Sequence, residues 1–233
     1  MFRDRGYALN SSAQSRASGP AQTNKVNWIY DSPLSTWIYD LWSRLTESQA
    51  NARALNVASA RPGESVLEVA VGTGVLFAKL AGVGGLLRCV GLELSEAMLS
   101  CARHRLPKQR GSGHALCRGD ARCLPFASGT FDLILNCYFM DLLSQGNICI
   151  GLKEFRRTLK PTGRLVLLVM ARQSPMLQGI WMWLYAHLPG LVGGCRPVSV
   201  AEYLVKEDWR IDVRERISQL GFRSELILAR PVC

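Results

Sequence analysis

Between Ser65 and Met170 the chain alternates short, almost wholly apolar runs with stretches in which apolar residues return every three or four positions. The runs predict strands at Ser65–Ala70, Arg88–Glu93, His114–Arg118, Phe131–Asn136 and Arg164–Met170. The periodic stretches predict helices at Val75–Leu80, Ser95–Leu106 and Asn147–Leu159. Strands that are apolar on both faces and separated by amphipathic helices belong to a parallel sheet covered on both sides. Before this core, "WIYDSPLSTWIYDLWSRLTESQANARAL" has helical spacing interrupted at Pro33, which predicts two N-terminal helices within residues 27–60. After it, residues 171–198 read as an irregular, aromatic insertion. A helix at Ser199–Trp209 follows, then strands Ile211–Ser218 and Glu225–Ala229, close enough in sequence to pair as a hairpin.

Residues 1–26 are polar and rich in Ser, Ala, Gln and Gly, and read as a flexible tail. They lack the apolar stretch of a secretory signal; their Arg and Ser content leaves an organellar transit peptide open as an alternative, which Asp4 weakens. The longest apolar stretch, Ile180 to Val192, is broken by His187, Pro189 and Gly190 and is too short to span a membrane. At 233 residues, 48% of them hydrophobic, the chain can fill one sizeable core, so residues 27–233 read as one domain. The net charge of +10 brings anionic partners to mind, but the arginines are scattered. They read as a solvated basic surface, and no nucleic-acid partner is expected. The eight cysteines show neither a C-x-x-C pair nor zinc-ligand spacing; they read as reduced thiols in a cytoplasmic protein, and no metal is expected.

The chemistry concentrates at the first strand-to-helix junction, "LEVAVGTGVLF". In doubly wound sheets ligands bind beyond the carboxyl ends of the strands, and Gly72 and Gly74 let the backbone approach one there. The spacing does not satisfy the dinucleotide fingerprint G-x-G-x-x-G. It does satisfy acidic-x-[G/A]-x-G-x-G, filled by Glu68, Ala70, Gly72 and Gly74. A carboxylate at Glu68 suits an ammonium better than a phosphate. Glu93, ending the second strand with Leu94 beside it, can accept from both hydroxyls of a ribose. Asp120 can accept from an adenine amino group, with Ala121 offering a backbone N–H. Ammonium, ribose and adenine without phosphates describe S-adenosylmethionine.

The stretches "VLEVAVGTG", "GLELSEAML", "GDARCLPFASGTFDLILN" and "EFRRTLKPTGRLVLL" follow one another over about a hundred residues. In these the chain resembles class I S-adenosylmethionine-dependent methyltransferases, and within them the ubiquinone/menaquinone C-methyltransferase and bacterial phospholipid N-methyltransferase group. The resemblance implies a Rossmann-like doubly wound α/β fold with a seven-stranded sheet, mostly parallel and closed by an antiparallel hairpin. In that family Ala70 stands where glycine is commonest, and the position of Asp132 is structural.

Asn136, Tyr138, Phe139 and Asp141 follow the fourth strand and are expected near the reacting methyl group, Asn136 with the cofactor. Tyr138, Asp141 and His187 are the candidate catalytic residues. Tyr30, Tyr39, Trp42, Phe139, Trp181, Trp183 and Tyr185 are expected to wall an acceptor pocket beneath a helical and aromatic lid, suited to a small hydrophobic or amphiphilic acceptor such as a quinol, phenol or aminophospholipid. The basic surface would permit peripheral contact with an anionic membrane. Two other readings compete with this one. Cys137 and Cys195 could overhang the same pocket and hold trivalent arsenic, as in arsenic methyltransferases, although those enzymes carry a further cysteine before the glycine turn. The chain could also bind the cofactor without catalysing transfer.

Overall fold

The computed structural model describes residues 43, 45–106, 113–173, 175–187 and 195–232. Helix α1 (Ser48–Ala58) leads into β1 (Ser65–Val69), α2 (Val75–Ala81), β2 (Arg88–Glu93), α3 (Glu96–Arg105) and β3 (His114–Arg118). Then come β4 (Phe131–Cys137), a 3₁₀ turn (Met140–Leu142), α4 (Gln145–Thr158), β5 (Leu159–Met170), α5 (Pro175–His187), α6 (Val200–Lys206), β6 (Trp209–Gln219) and β7 (Phe222–Pro231). The strands form one sheet in the order β3-β2-β1-β4-β5-β7-β6. Pairing is parallel from β3 through β5, then antiparallel between β5 and β7 and between β7 and β6. The order reverses between β1 and β4, which places the expected ligand crevice at their carboxyl ends.

Each face of the sheet carries its own core. On one face Ile148, Leu152 and Phe155 of α4 and Val200, Ala201 and Leu204 of α6 pack against Leu67, Ile134 and Leu167. On the other, Ala50, Ala54 and Ala58 of α1 join Leu76, Phe77 and Leu80 of α2 over Val66, Leu135 and Leu168. The alanines recur every four residues, so one narrow stripe of α1 lies close against the strands.

Polar side chains fix how α1 lies. At its carboxyl end Arg164, in β5, donates to Ala58 O and Ser59 O at 2.8 Å each and pairs with Glu64. At its amino end Gln219, closing β6, accepts from Gln49 N at 2.8 Å and donates to Leu45 O at 2.7 Å. The helix therefore runs antiparallel to β5 and delivers its first residues to the carboxyl end of the sheet. Asp132 is structural, as the resemblance implies: it accepts from Ser65 N and from Lys160 Nζ, tying together the starts of β1, β4 and β5.

Two expectations change here. The insertion is not irregular throughout, because α5 occupies its centre; none of the residues of α5 is buried. The hairpin strands are longer than predicted and meet in a two-residue turn at Leu220 and Gly221, both at positive φ (49° and 82°). That geometry matches the twist of the flanking strands.

Candidate functional site

The junction after β1 is bent by consecutive special residues. Ala70 has φ 58°, Gly72 φ 55° and Gly74 φ 81°. Replacing the commoner glycine with Ala70 therefore does more than narrow the turn: an L-residue in the left-handed region costs about 1 kcal/mol. The two glycines serve different purposes. A Cβ on Gly74 would lie 2.7 Å from Cα and Cβ of Ala102, so Gly74 permits α2 and α3 to touch. A Cβ on Gly72 would meet nothing within 4 Å, which leaves its backbone open to a ligand.

Glu93 locks this turn to the second strand. Its Oε2 accepts from Gly72 N, and its Oε1 accepts from Leu94 N and Ser95 N, all at 2.9 Å. Burial pushes its carboxyl up, against the lowering effect of those three amides. The sequence reading gave both oxygens to a ribose, whereas here most of their capacity serves the backbone. Asp120 is similarly engaged. Arg122 bonds both its oxygens, at 2.6 Å to Oδ2 and 3.1 Å to Oδ1. Burial raises the Asp120 carboxyl, but Arg122 outweighs this and holds it below its ordinary value. Ala121 is buried in the core and Leu94 is exposed beside the turn.

Unfilled acceptors stand at the switch point itself. Glu68 Oε2 and Asn136 Oδ1 are buried and have no hydrogen-bond partner among the described residues, while Asn136 Nδ2 donates to Val69 O at 2.9 Å. Burial, then the nearby Glu93, raises the Glu68 carboxyl well above its ordinary value. Buried acceptors are normally satisfied, so two orphaned oxygens near the carboxyl ends of β1 and β4 fit a ligand bearing a cation and N–H donors. S-adenosylmethionine meets that description through its ammonium.

A second group of polar side chains gathers one strand further on. Asp141, fully buried, accepts from Met170 N at 3.1 Å through Oδ2, while Oδ1 has no partner among the described residues. Glu47, at the amino end of α1 and only 5% exposed, has an Oε2 likewise unpartnered among them.

Residues 66–163 match the family model described as a methyltransferase domain. Over that stretch the chain is similar to methyltransferase domains. The chain is similar to the demethylmenaquinone methyltransferase of Corynebacterium kroppenstedtii, with 36% identity over 57% of this chain and 49% of that protein. It is 31% identical to the ubiquinone/menaquinone biosynthesis C-methyltransferase UbiE of Teredinibacter turnerae over 62% of this chain and 55% of that one. The chain thus spans about half the length of these curated relatives. Among solved structures, S-adenosylmethionine-dependent methyltransferases from Aquifex aeolicus and Methanosarcina mazei share the fold. Their TM-scores are 0.61 and 0.63, with 18% and 17% identity over 90% and 76% of this chain and 98% and 97% of theirs.

Of the expected acceptor-side residues, the structure gathers some and disperses others. Tyr138, itself at φ 52°, is buried and its hydroxyl is 2.6 Å from Ser224 Oγ. Burial and then the charge of Glu47 push its phenol above the ordinary range, and the ring is packed and hydrogen-bonded in the core. Trp181 donates to Cys195 O at 2.9 Å and packs near Phe222, 6.0 Å between rings. Phe139 lies half-buried against the core. Tyr185 is half-buried on α5. Trp183 and His187 are corrections: both are exposed on α5, stacked on one another at 4.9 Å, with His187 Nδ1 2.9 Å from Trp183 O. That contact gives the imidazole a role in closing the helix end. Tyr30, Tyr39 and Trp42 lie outside the described residues.

Cys137 and Cys195 pack against the same apolar cluster. Burial raises both thiols well above their ordinary value. For Cys137 the charges of Glu68, Glu47 and Asp141 add to this, and for Cys195 those of Asp141 and Glu47. A soft-metal site needs thiolates, and burial here disfavours them. Among the described residues no group of three His, Cys, Asp or Glu is placed to hold a metal ion. Glu47 escaped the sequence reading because nothing in "RLTESQA" marks it; only the seating of α1 brings it to the site.

Proposed function

We propose that the chain transfers a methyl group from S-adenosylmethionine to a small hydrophobic or amphiphilic acceptor of the quinol, phenol or aminophospholipid class. The observation that carries this is the pair of orphaned buried oxygens, Glu68 Oε2 near the end of β1 and Asn136 Oδ1 near the end of β4, with the open backbone of Gly72 in the turn after β1. Glu68 and Asn136 would hold the amino-acid end of the cofactor. Glu93 would hold the ribose by sharing its amide-bonded oxygens, and Leu94, Asp120 and Ala121 would border the adenine. The bound cofactor supplies an already activated methyl group. The protein's remaining task is to orient the acceptor and exclude water, which can contribute several kcal/mol. The apolar wall of Trp181, Phe222 and Tyr138 supports a hydrophobic acceptor, as does likeness to quinone C-methyltransferases. The burial of Cys137 and Cys195, which disfavours their thiolates, weighs against arsenic. A mass-spectrometric screen for added methyl groups over quinols, phenols, aminophospholipids, amines and arsenite tests the reading. An organic quinol or phenol product is expected, and arsenite as the sole methylated species would overturn it.

Peripheral contact with an anionic membrane belongs to the same proposal. No described helix is long and apolar enough to cross a membrane. Yet α5 exposes Met176, Ile180, Met182 and Trp183, while Arg172 and Arg223 stand exposed at its root. An apolar helix flanked by cations suits a lipid surface. The chain is expected to sediment with vesicles containing anionic lipid, less so at high salt, and Trp183→Ser should weaken this. Equal sedimentation with purely zwitterionic vesicles would count against it.

A further inference from the structure

The antiparallel seating of α1 brings Glu47 to the end of the sheet where β4 and β5 finish. There Asp141 is pinned through one oxygen to Met170 N, and each carboxyl presents its other oxygen, Glu47 Oε2 and Asp141 Oδ1, buried and unpartnered among the described residues. Resting on the methyltransferase reading, we propose that Glu47 is the general base of the reaction, taking the proton of a hydroxyl-bearing acceptor, with Asp141 as the positioning residue beside it.

In this step the acceptor's O–H bond breaks and leaves its electron pair on oxygen. The proton bonds to Glu47 Oε2, so the acceptor gains one negative charge and Glu47 loses one. A hydroxyl fits better than an alkylammonium, because a buried carboxylate stabilises the ammonium as a cation and so withholds its lone pair. The groups facing Glu47 are Ser43 on its own segment, Cys137 at the end of β4, Tyr138 and Asp141 beyond it, and Cys195 after α5; Arg196 faces Asp141 and Glu68 faces Cys137. Burial and then Asp141 push the Glu47 carboxyl up to about 7, against a hydrogen bond from Ser43. Burial pushes Asp141 up to about 6, against Met170 N and Arg196. A carboxylate near neutrality is well matched to general-base work.

The full chain is assayed with S-adenosylmethionine and a short-chain alkyl hydroquinone or simple phenol. Turnover in the parent is expected to rise across about pH 6 to 7 as Glu47 loses its proton. Glu47→Gln is expected to lose about 10²–10⁴-fold in turnover while keeping calorimetric cofactor affinity. Asp141→Asn, which removes the neighbouring charge, is expected to move the rise to lower pH, a change that loss of packing alone would not produce. Unfolding offers a readout independent of turnover. Between about pH 4.5 and 7 the folded parent retains a proton that the unfolded chain has released, so stability falls as pH rises through that window. In Glu47→Gln this fall should shrink. A variant with parental turnover and pH profile, or an unchanged pH dependence of unfolding, overturns the assignment. Methylation of amines but of neither hydroquinone nor phenol overturns it while leaving the methyltransferase reading standing. A parent that binds no S-adenosylmethionine overturns both.

Discussion

Replacing Glu93 by alanine is expected to weaken S-adenosylmethionine binding by about 100-fold or more, measured by calorimetry on the folded variant. The carboxylate does two jobs that fail together. It bonds Gly72 N across the turn, and Leu94 N and Ser95 N at the start of the following helix. Its loss leaves these donors unanswered in a buried setting, and hydrogen bonds to a charged group are worth about 1.5–3 kcal/mol each. The ribose would also lose its acceptor, and a tenfold change in affinity corresponds to about 1.4 kcal/mol. Glu93→Gln keeps the shape and one carbonyl oxygen, so it should fall between the parent and alanine. Unchanged affinity in a folded Glu93→Ala variant would remove the residue from the cofactor site.

Gly74→Ala is expected to destabilise the fold by about 2–4 kcal/mol, lowering the melting temperature by roughly 5–15 °C. The new Cβ must occupy a left-handed backbone position and lie 2.7 Å from Cα and Cβ of Ala102, so α3 would have to withdraw from α2. Gly72→Ala provides the contrast. Its Cβ meets nothing within 4 Å, leaving only the conformational cost of about 1 kcal/mol, while the methyl group intrudes where a ligand would approach. Stability should therefore suffer at position 74 and cofactor binding at position 72. Equal stability losses in the two variants would refute this division of labour.

Most of the parallel half of the fold was legible because β1, β2, β4 and the end of β5 are buried on both faces. A run such as Phe131–Asn136 carries no helical period, and nothing in its surroundings competes with that local signal. The cofactor turn was legible because it is made of neighbours in sequence. What escaped depends on distant partners. The bond between Tyr138 and Ser224 exists because β7 pairs antiparallel with β5, setting Ser224 opposite Met170. Glu47 depends on Gln219 and Arg164 holding the two ends of α1. Helix α5 was missed for the opposite reason: apolar residues surround it, so it has no polar face to reveal a period of 3.6.

Ala70 and Tyr138 stand just beyond the carboxyl ends of neighbouring strands, and both are held at positive φ, 58° and 52°. Such residues persist only where the surrounding structure over-determines them. The rim of the crevice has thus been shaped at the expense of resilience. Elsewhere in the sheet a conservative change meets a relaxed backbone, but at these two positions the tolerance for further insult is already partly consumed. A stabilised descendant of this protein could relax Ala70 to glycine and surrender there some of the stiffness with which the crevice meets its ligand, whereas at Tyr138 the same change would empty a buried ring site and break the bond to Ser224, so the strain there must be kept.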